Sequence, residues 1–339
     1  MIRVQTGSRL HFGLLSLPAE DHWSGHDGEP NIPARRFGGV GLMIERPGIR
    51  LTIEQSTEWS ADGPLAERAL ACARQFATTL PPASVSPQHI VMESCAPEHA
   101  GLGTGTQLGL AVARALAAAH GLSDLDAPAL ARRVGRATRS ALGVHGFAGG
   151  GFLVDGGKGA VEPVAPLIAR ADFPEDWPIL VVVSRSQLGV HGEEESQIFE
   201  RIRRSGMTSA VTDSLCRLAL LGMLPGLLER DLPAFGEALH DFNVRAGEAF
   251  ATVQSGSYAS PSVAEIVSFI RRSGVRGVGQ SSWGPAVFAV LDDAERVDEL
   301  GQQVRARFNL ANGEVFTARA RNRGAAVESV PPSPFRQPS

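Results

Sequence analysis

The amino-acid sequence predicts an α+β fold, with strands gathered in the first part of the chain and helices in the second. Three observations carry that prediction. Residues 2–10, 35–44, 49–54 and 88–94 have strand patterning. A glycine-rich turn at 101–105 runs directly into an alanine- and leucine-rich helix. Beyond residue 193 helical segments prevail, closed by a strand, turn, strand, helix and strand in succession.

Residues 2–10 alternate weakly and lead, as a strand, into Arg9-Leu-His-Phe-Gly-Leu-Leu15. Residues 18–33 are rich in Asp, His, Gly and Pro without periodicity, which marks a loop; their spacing matches no standard metal site. A glycine-bearing strand follows at 35–44, and 49–54 alternates apolar with polar as a further strand. Residues 65–76 are helical by spacing, and 88–94 form a short strand. The helix expected at 106–120 is apolar on nearly all sides, which places it inside the domain, and Gly121 suits the left-handed residue that ends it. A second helix is expected at 127–142, with Asp126 or Asp124 as cap and Pro128 in the first turn. It leads to a second glycine-rich element at 143–157, which becomes a strand at 152–154. The Pro-bearing stretch 161–178 is the best boundary candidate, and the valine run at 179–184 reads as a buried strand. Helices are expected at 193–205, 213–229, 232–254 and 262–273. A strand at 275–278, the turn Gln280-Ser-Ser-Trp-Gly284, a strand at 286–291, a helix at 294–308 and a strand at 315–320 complete the order. The tail from residue 331 has the Pro, Ser and Arg content of a disordered segment.

The segment Pro97-Glu-His-Ala-Gly-Leu-Gly-Thr-Gly-Thr-Gln-Leu-Gly109 carries the most chemistry. Gly101, Gly103 and Gly105 lack Cβ atoms, so the chain there can take positive φ and turn several N–H groups toward an anion. The start of the helix adds unpaired N–H groups and about half an elementary positive charge. No Lys-Ser or Lys-Thr follows the last glycine, so this is not a P-loop, and Gly103-x-Gly105-x-x-Leu108 misses the dinucleotide pattern. The alternative is a strand-to-helix turn that only packs.

Composition narrows the classes. A chain of 339 residues, 43% hydrophobic and 20% charged, buries a large core in one or two domains. A net charge of −4 and a pI near 6.2 argue against a nucleic-acid-binding surface, while leaving room for a local basic pocket. Cys72, Cys95 and Cys216 lie far apart and have no metal-ligand spacing, as reduced cytosolic thiols would. The N-terminus has no apolar signal-peptide core, and no run approaches the roughly 18 apolar residues of a membrane span. A cytoplasmic protein is expected.

Three segments, in this order, resemble the GHMP superfamily of small-molecule kinases: the N-terminal strand motif, the Pro97-x-x-x-Gly101-Leu-Gly103 loop, and Gly277-Val-Gly-Gln-Ser-Ser-Trp-Gly-Pro285. The resemblance implies a GHMP-kinase-like two-lobed fold. A ribosomal-S5-domain-2-like lobe would span 1–165, a ferredoxin-like α/β lobe 166–325, and a disordered tail 326–339. Sugar and isoprenoid kinases of the superfamily place a catalytic aspartate in the second glycine-rich region. Here Gly143-Val-His-Gly-Phe-Ala-Gly-Gly holds His145 and no carboxylate, and Asp155 comes too late.

One branch matches these departures. Ser8-Arg-Leu-His-Phe-Gly-Leu-Leu15, Phe37-Gly-Gly-Val-Gly-Leu42, Gly101-Leu-Gly-Thr-Gly-Thr-Gln107, Arg139-Ser-Ala-Leu-Gly143, Gly146-Phe-Ala-Gly-Gly-Gly-Phe-Leu-Val-Asp155 and Gly192-Glu-Glu-Glu195 resemble the beta-ribofuranosylaminobenzene 5'-phosphate synthase family. That implies a decarboxylating phosphoribosyltransferase of tetrahydromethanopterin biosynthesis. Phosphoribosyl pyrophosphate and 4-aminobenzoate or 4-hydroxybenzoate would give a C-riboside, CO₂ and pyrophosphate, with Mg²⁺ as cofactor. Neither nucleic acid nor membrane is implied as a partner, and a homodimer is left open. The alternative is an ATP-dependent GHMP-type small-molecule kinase; a binding protein without turnover is the third reading.

The reaction needs a polyphosphate cradle, fixed positive charge and a dry pocket. The catalytic candidates are Arg9, His11, Arg139 and His145. Arg9 sits among apolar strand residues, where an anion contact explains it; His11 and His145 could equally be structural. Arg136 and Arg139, three apart on the expected helix, could also be a solvated face. Candidates for binding substrate and phosphate are Gly101, Leu102, Gly103, Thr104, Gly105, Thr106 and Gln107, with Arg36, Gln280, Ser281 and Ser282. Thr104 and Thr106 are the Mg²⁺ candidates, since Mg²⁺ keeps several waters and needs few protein groups. Glu193, Glu194 and Glu195 most simply open a helix, and Trp283 either stacks on an aromatic ring or packs.

Overall fold

The computed structural model describes residues 1–17, 35–159, 164–184, 206–251, 256–282 and 284–331. In chain order the strands are β1 (Ile2–Leu14), β2 (Gly39–Gln55), β3 (Ser60–Asp62), β4 (Gln88–Ser94), β5 (Phe152–Asp155), β6 (Leu167–Ala171), β7 (Ile179–Val183), β8 (Gly277–Gln280), β9 (Ala286–Val290), β10 (Val315–Ala318) and β11 (Ala326–Ser329). The helices are α1 (Ala66–Ala77), α2 (Thr104–Ala119), α3 (Ala127–Arg133), α4 (Leu142–Gly149), α5 (Ser209–Leu228, with a π-helical turn at Ala219–Met223), α6 (Leu232–Glu248), α7 (Pro261–Arg272) and α8 (Ala294–Phe308). A seven-stranded sheet runs β11-β1-β2-β4-β3, with β5 paired to β2 and β6 to β5. A four-stranded sheet runs β10-β7-β9-β8.

Each sheet buries one face under helices. Val4, Leu51, Ile53 and Ile90 of the larger sheet pack on Leu108, Val112 and Leu116 of α2 and on Phe76 of α1. In the smaller sheet, Leu180, Val182 and Val287 meet Ile266 and Ile270 of α7 and Val297 and Val304 of α8. A third cluster joins the sheets, with Leu10, Phe12, Leu42 and Phe152 against Phe235, Phe242 and Phe288. An 18-residue window of α5 has a mean hydropathy of 1.4, and the helix is long and apolar enough by length and composition to cross a membrane. Its Leu215, Ala219, Met223 and Leu227 are buried in that third cluster.

Several expectations change. The strands expected at 35–44 and 49–54 are one continuous β2 that pairs with β1 from Ile2↔Ile53 to Leu14↔Gly39. The first sheet extends past the expected boundary at 165/166 to include β6, and it takes β11 from the segment expected to be tail at 326–339. The helix expected at 127–142 stops at Arg133. Gly135 (φ 63) ends it as Gly121 (φ 70) ends α2. In both, the next N–H returns to the helix: Arg136 N to Ala131 O at 2.8 Å, and Leu122 N to Ala117 O at 2.7 Å. The glycine-rich element at 143–157 begins as α4 and becomes a strand, β5, at Phe152–Asp155.

Candidate active site

The loop before α2 is pinned by its carbonyls. Thr104 Oγ1 donates to Pro97 O at 2.8 Å, and Ser281 Oγ donates to Gly101 O at 2.7 Å. Arg9 N donates to Leu102 O at 2.9 Å, and Ala286 N to Ala100 O at 3.2 Å. With those oxygens engaged, the loop runs into the start of α2, where Gly103 (φ 71) is the N-cap and no side chain caps the helix. This is the geometry of an anion seat. The loop also needs close main-chain contact with the turn after β8. A Cβ on Gly101 would lie 2.3 Å from Ser281 O, and one on Gly284 would lie 2.1 Å from Gly101 N.

Arginines cover the seat. A Cβ added to Gly103 would be 3.2 Å from Arg9 Cβ and 3.4 Å from Arg9 Nε. One added to Gly105 would be 2.6 Å from Arg68 Nη2 and 3.7 Å from Arg136 Nη1. Burial first, then the charge of Arg136, lower the Arg68 pKa, and Arg68 is ion-paired to Glu98. Like charges gathered at the positive end of a helix repel, and an incoming polyanion relieves that repulsion. The seat opens into a cleft of about 350 Å³ that Arg139 also lines. Glu98 is the one carboxylate among the described residues lining it.

His11 lies deeper, 5% exposed. Its N–H donates to Ser281 Oγ at 2.9 Å, its carbonyl accepts from Ser282 N at 2.9 Å, and its Nδ1 has no hydrogen-bond partner among the described residues. Burial and then Arg9 hold its pKa well below the usual imidazole value, so the ring is neutral at pH 7.

The expected site residues divide. Arg9, His11, Arg139, Gly101, Leu102, Gly103, Thr104, Gly105, Thr106, Gln280 and Ser282 line the cleft; Gln107, Arg36, His145 and Ser281 do not. Gln107 is a buried tie, accepting from Thr6 Oγ1 at 2.7 Å and donating to Gly143 O at 2.8 Å. Arg36 pairs its main chain with Lys158. His145 Nε2 lies 2.8 Å from Ala165 O. Ser281, fully buried, joins the loop to β1. Asp155, also fully buried, accepts from Ser140 Oγ, Ala141 N and Gly157 N; burial raises its pKa against those donors. Arg136 and Arg139 reach the cleft from irregular chain after α3, not from one helix face. Glu193, Glu194, Glu195 and Trp283 lie outside the described residues.

Sequence reasoning missed Arg68, on a helix read as ordinary, and Asn243 of α6. Asn243 Nδ2 donates to Phe12 O at 2.6 Å and Gln280 O at 2.8 Å, and its Oδ1 accepts from Gln280 N at 2.8 Å. That side chain locks three elements around the cleft. For a metal, Thr106 lines the cleft, while the Thr104 hydroxyl donates its proton to the loop. No group of three or more His, Cys, Asp or Glu side chains able to hold a metal occurs among the described residues. These few oxygens fit an ion that takes its other ligands from water and substrate phosphate. Cys72, Cys95 and Cys216 are free thiols.

Comparison with known proteins agrees with this architecture. The model of the GHMP kinases N terminal domain matches residues 65–151, and that of the GHMP kinases C terminal matches residues 223–310. The chain is 31% identical to a beta-ribofuranosylphenol 5'-phosphate synthase of Methanothermobacter thermautotrophicus over 95% of this chain and 97% of that protein. It is 31% identical to the Archaeoglobus fulgidus protein of the same name, over 97% and 100%. Among solved structures, homoserine kinase from Cytophaga hutchinsonii matches with a TM-score of 0.67 at 14% identity, over 96% of this chain and 97% of that one. Mevalonate diphosphate decarboxylase from Staphylococcus aureus matches at 0.62 and 14%, over 97% and 99%. A further structure of this fold, at 0.60 and 16% over 97% and 100%, is a complex with magnesium. The chain belongs to the beta-ribofuranosylphenol 5'-phosphate synthase family of the GHMP kinase superfamily.

Proposed function

We propose that this protein is a beta-ribofuranosylphenol 5'-phosphate synthase, a cytoplasmic enzyme of tetrahydromethanopterin biosynthesis. It joins the ribosyl carbon of phosphoribosyl pyrophosphate to the ring of 4-hydroxybenzoate, releasing CO₂ and pyrophosphate. The observation that carries the reading is an amide seat under Arg9, Arg68 and Arg136 whose one lining carboxylate among the described residues, Glu98, is ion-paired to an arginine. A kinase needs a carboxylate free to take a proton from an alcohol. A ribosyl transfer needs stabilisation of the leaving pyrophosphate, which N–H groups and guanidinium groups supply.

In this mechanism the amides at the start of α2 hold the pyrophosphate, and Arg68 and Arg136 take up charge as the glycosidic C–O bond lengthens. Arg9 spans the loop and the reacting centre. Mg²⁺, held by Thr106 with Thr104 beside it, would neutralise part of the pyrophosphate charge. The buried wall excludes water from the ribosyl carbon, which otherwise hydrolyses. The test is incubation with Mg²⁺, phosphoribosyl pyrophosphate and either 4-hydroxybenzoate or 4-aminobenzoate, with CO₂ and pyrophosphate measured. Both products, with the hydroxy acid preferred, are expected. ATP consumption with an alcohol acceptor and no CO₂ would overturn the assignment.

A further inference from the structure

The cleft has a second end that the anion seat does not explain. Arg9, His11 and Gly13 line it in turn along β1. At about 3.3 Å per residue, Arg9 and Gly13 are roughly 13 Å apart. Arg9 lies over Gly103 at one end. Gly13 lies against α6 at the other, where an added Cβ would be 2.5 Å from Ala246 Cβ. The lining there includes Leu14, Phe37, Ala246 and Phe250, with Asn243 and Ser257 as its polar neighbours. Between the ends sits His11, with its buried, unpartnered Nδ1. A sugar or a second phosphate would leave polar groups unpaired against the four apolar side chains. A flat apolar ring covers such a wall, and a polar substituent on it can reach the polar groups toward His11.

We propose that this end, walled by Leu14, Phe37, Ala246 and Phe250 with His11 at its mouth, seats the aromatic carboxylic acid that accepts the ribosyl group. The inference rests on the synthase reading. The ring carbon bearing the carboxylate bonds to C1 of the ribose as the C1–O bond to pyrophosphate breaks. The bond to the carboxylate then breaks, its electron pair returns to the ring, and CO₂ leaves. Attack from the face opposite the leaving group requires acceptor, reacting carbon and pyrophosphate in a row. The order apolar end, His11, arginine end supplies that row.

Calorimetric titration of 4-hydroxybenzoate into the full chain, with Mg²⁺ and inorganic pyrophosphate present, reads the seat without turnover. Phe37→Ala removes part of the wall and Ala246→Leu fills the slot. Each is expected to weaken benzoate binding by about tenfold or more, with pyrophosphate affinity held within about twofold as the check on folding. Unchanged benzoate affinity in both variants, parallel loss of both ligands in both variants, or no benzoate binding by the unmodified protein overturns the seat. CO₂ release by the unmodified protein is measured separately. Benzoate bound at this seat without CO₂ release sinks the synthase reading alone; CO₂ release with both variants binding benzoate normally sinks the seat alone.

Discussion

The glycine-rich segments at 101–105 and 143–151 have similar compositions and opposite uses. In the first, neighbouring donors hold the loop carbonyls away and arginines stand over the glycines. In the second, what comes close is the protein itself. A Cβ on Gly146 would be 2.4 Å from Met43 Sδ, one on Gly150 would be 2.3 Å from Arg321 O, and one on Gly151 would be 2.6 Å from Ala171 O. Glycine content therefore marks close approach, and the charge around it decides whether a ligand or a neighbouring strand does the approaching.

The comparison breaks most severely at Gly101. Its φ of 84 and the 2.3 Å contact with Ser281 O mean that Gly101→Ala must part the loop from the turn after β8. Turnover is expected to fall by about 10²-fold or more, with a lower melting temperature; normal kcat and melting would show that the segments do not depend on each other. Arg136→Ala removes a charged donor worth about 1.5–3 kcal/mol. The KM for phosphoribosyl pyrophosphate should rise by roughly 10- to 150-fold with little change for the benzoate, and equal rises for both substrates would contradict an anion role.

In the second segment the effects should be on stability alone. Gly146→Ala overpacks Met43 and is expected to cost about 1–3 kcal/mol in denaturant melts, with kcat kept. His145→Ala loses a hydrogen bond worth about 1 kcal/mol, and collapse of kcat in that variant would restore a catalytic role to His145. The smallest effect is acid-dependent and belongs to the cleft. Well above about pH 6.5 the His11 ring is neutral in both folded and unfolded chains. As the pH falls further, the unfolded chain takes up a proton that the buried ring beside Arg9 refuses. Stability then falls by at most about 1.4 kcal/mol per pH unit until the folded ring titrates. His11→Gln should flatten that acid limb, and an identical limb would mean that other groups set it.

Much of this was legible in the sequence because the signals were local. The loop into α2 showed in its glycines, the β4 strand was expected at its observed bounds, and α8 at 294–308 was read correctly from its periodicity. Misreadings came where long-range packing decides. The helix expected at 127–142 passes over Gly135, whose left-handed φ lies just beyond the end of α3. Gln107 sits one residue past Thr106 in the motif, yet helix geometry turns it inward to Thr6 and Gly143. Arg68 belongs to α1, some thirty residues before the loop it covers, and no spacing rule connects the two. Asn243 is a lone polar residue on a helix; only its pairing across β1 and β8 gives it meaning.

The pairing of β11 with β1 has a consequence for how the protein is made. Ile2 to Gln5 lie beside Ser329 to Ala326, so β1 takes its outer neighbour from the strand synthesised latest among those described. Until then the growing chain carries an open strand edge, a template for pairing with another molecule. A chain cut short before residue 326 would keep that edge permanently, and aggregation would be its expected fate.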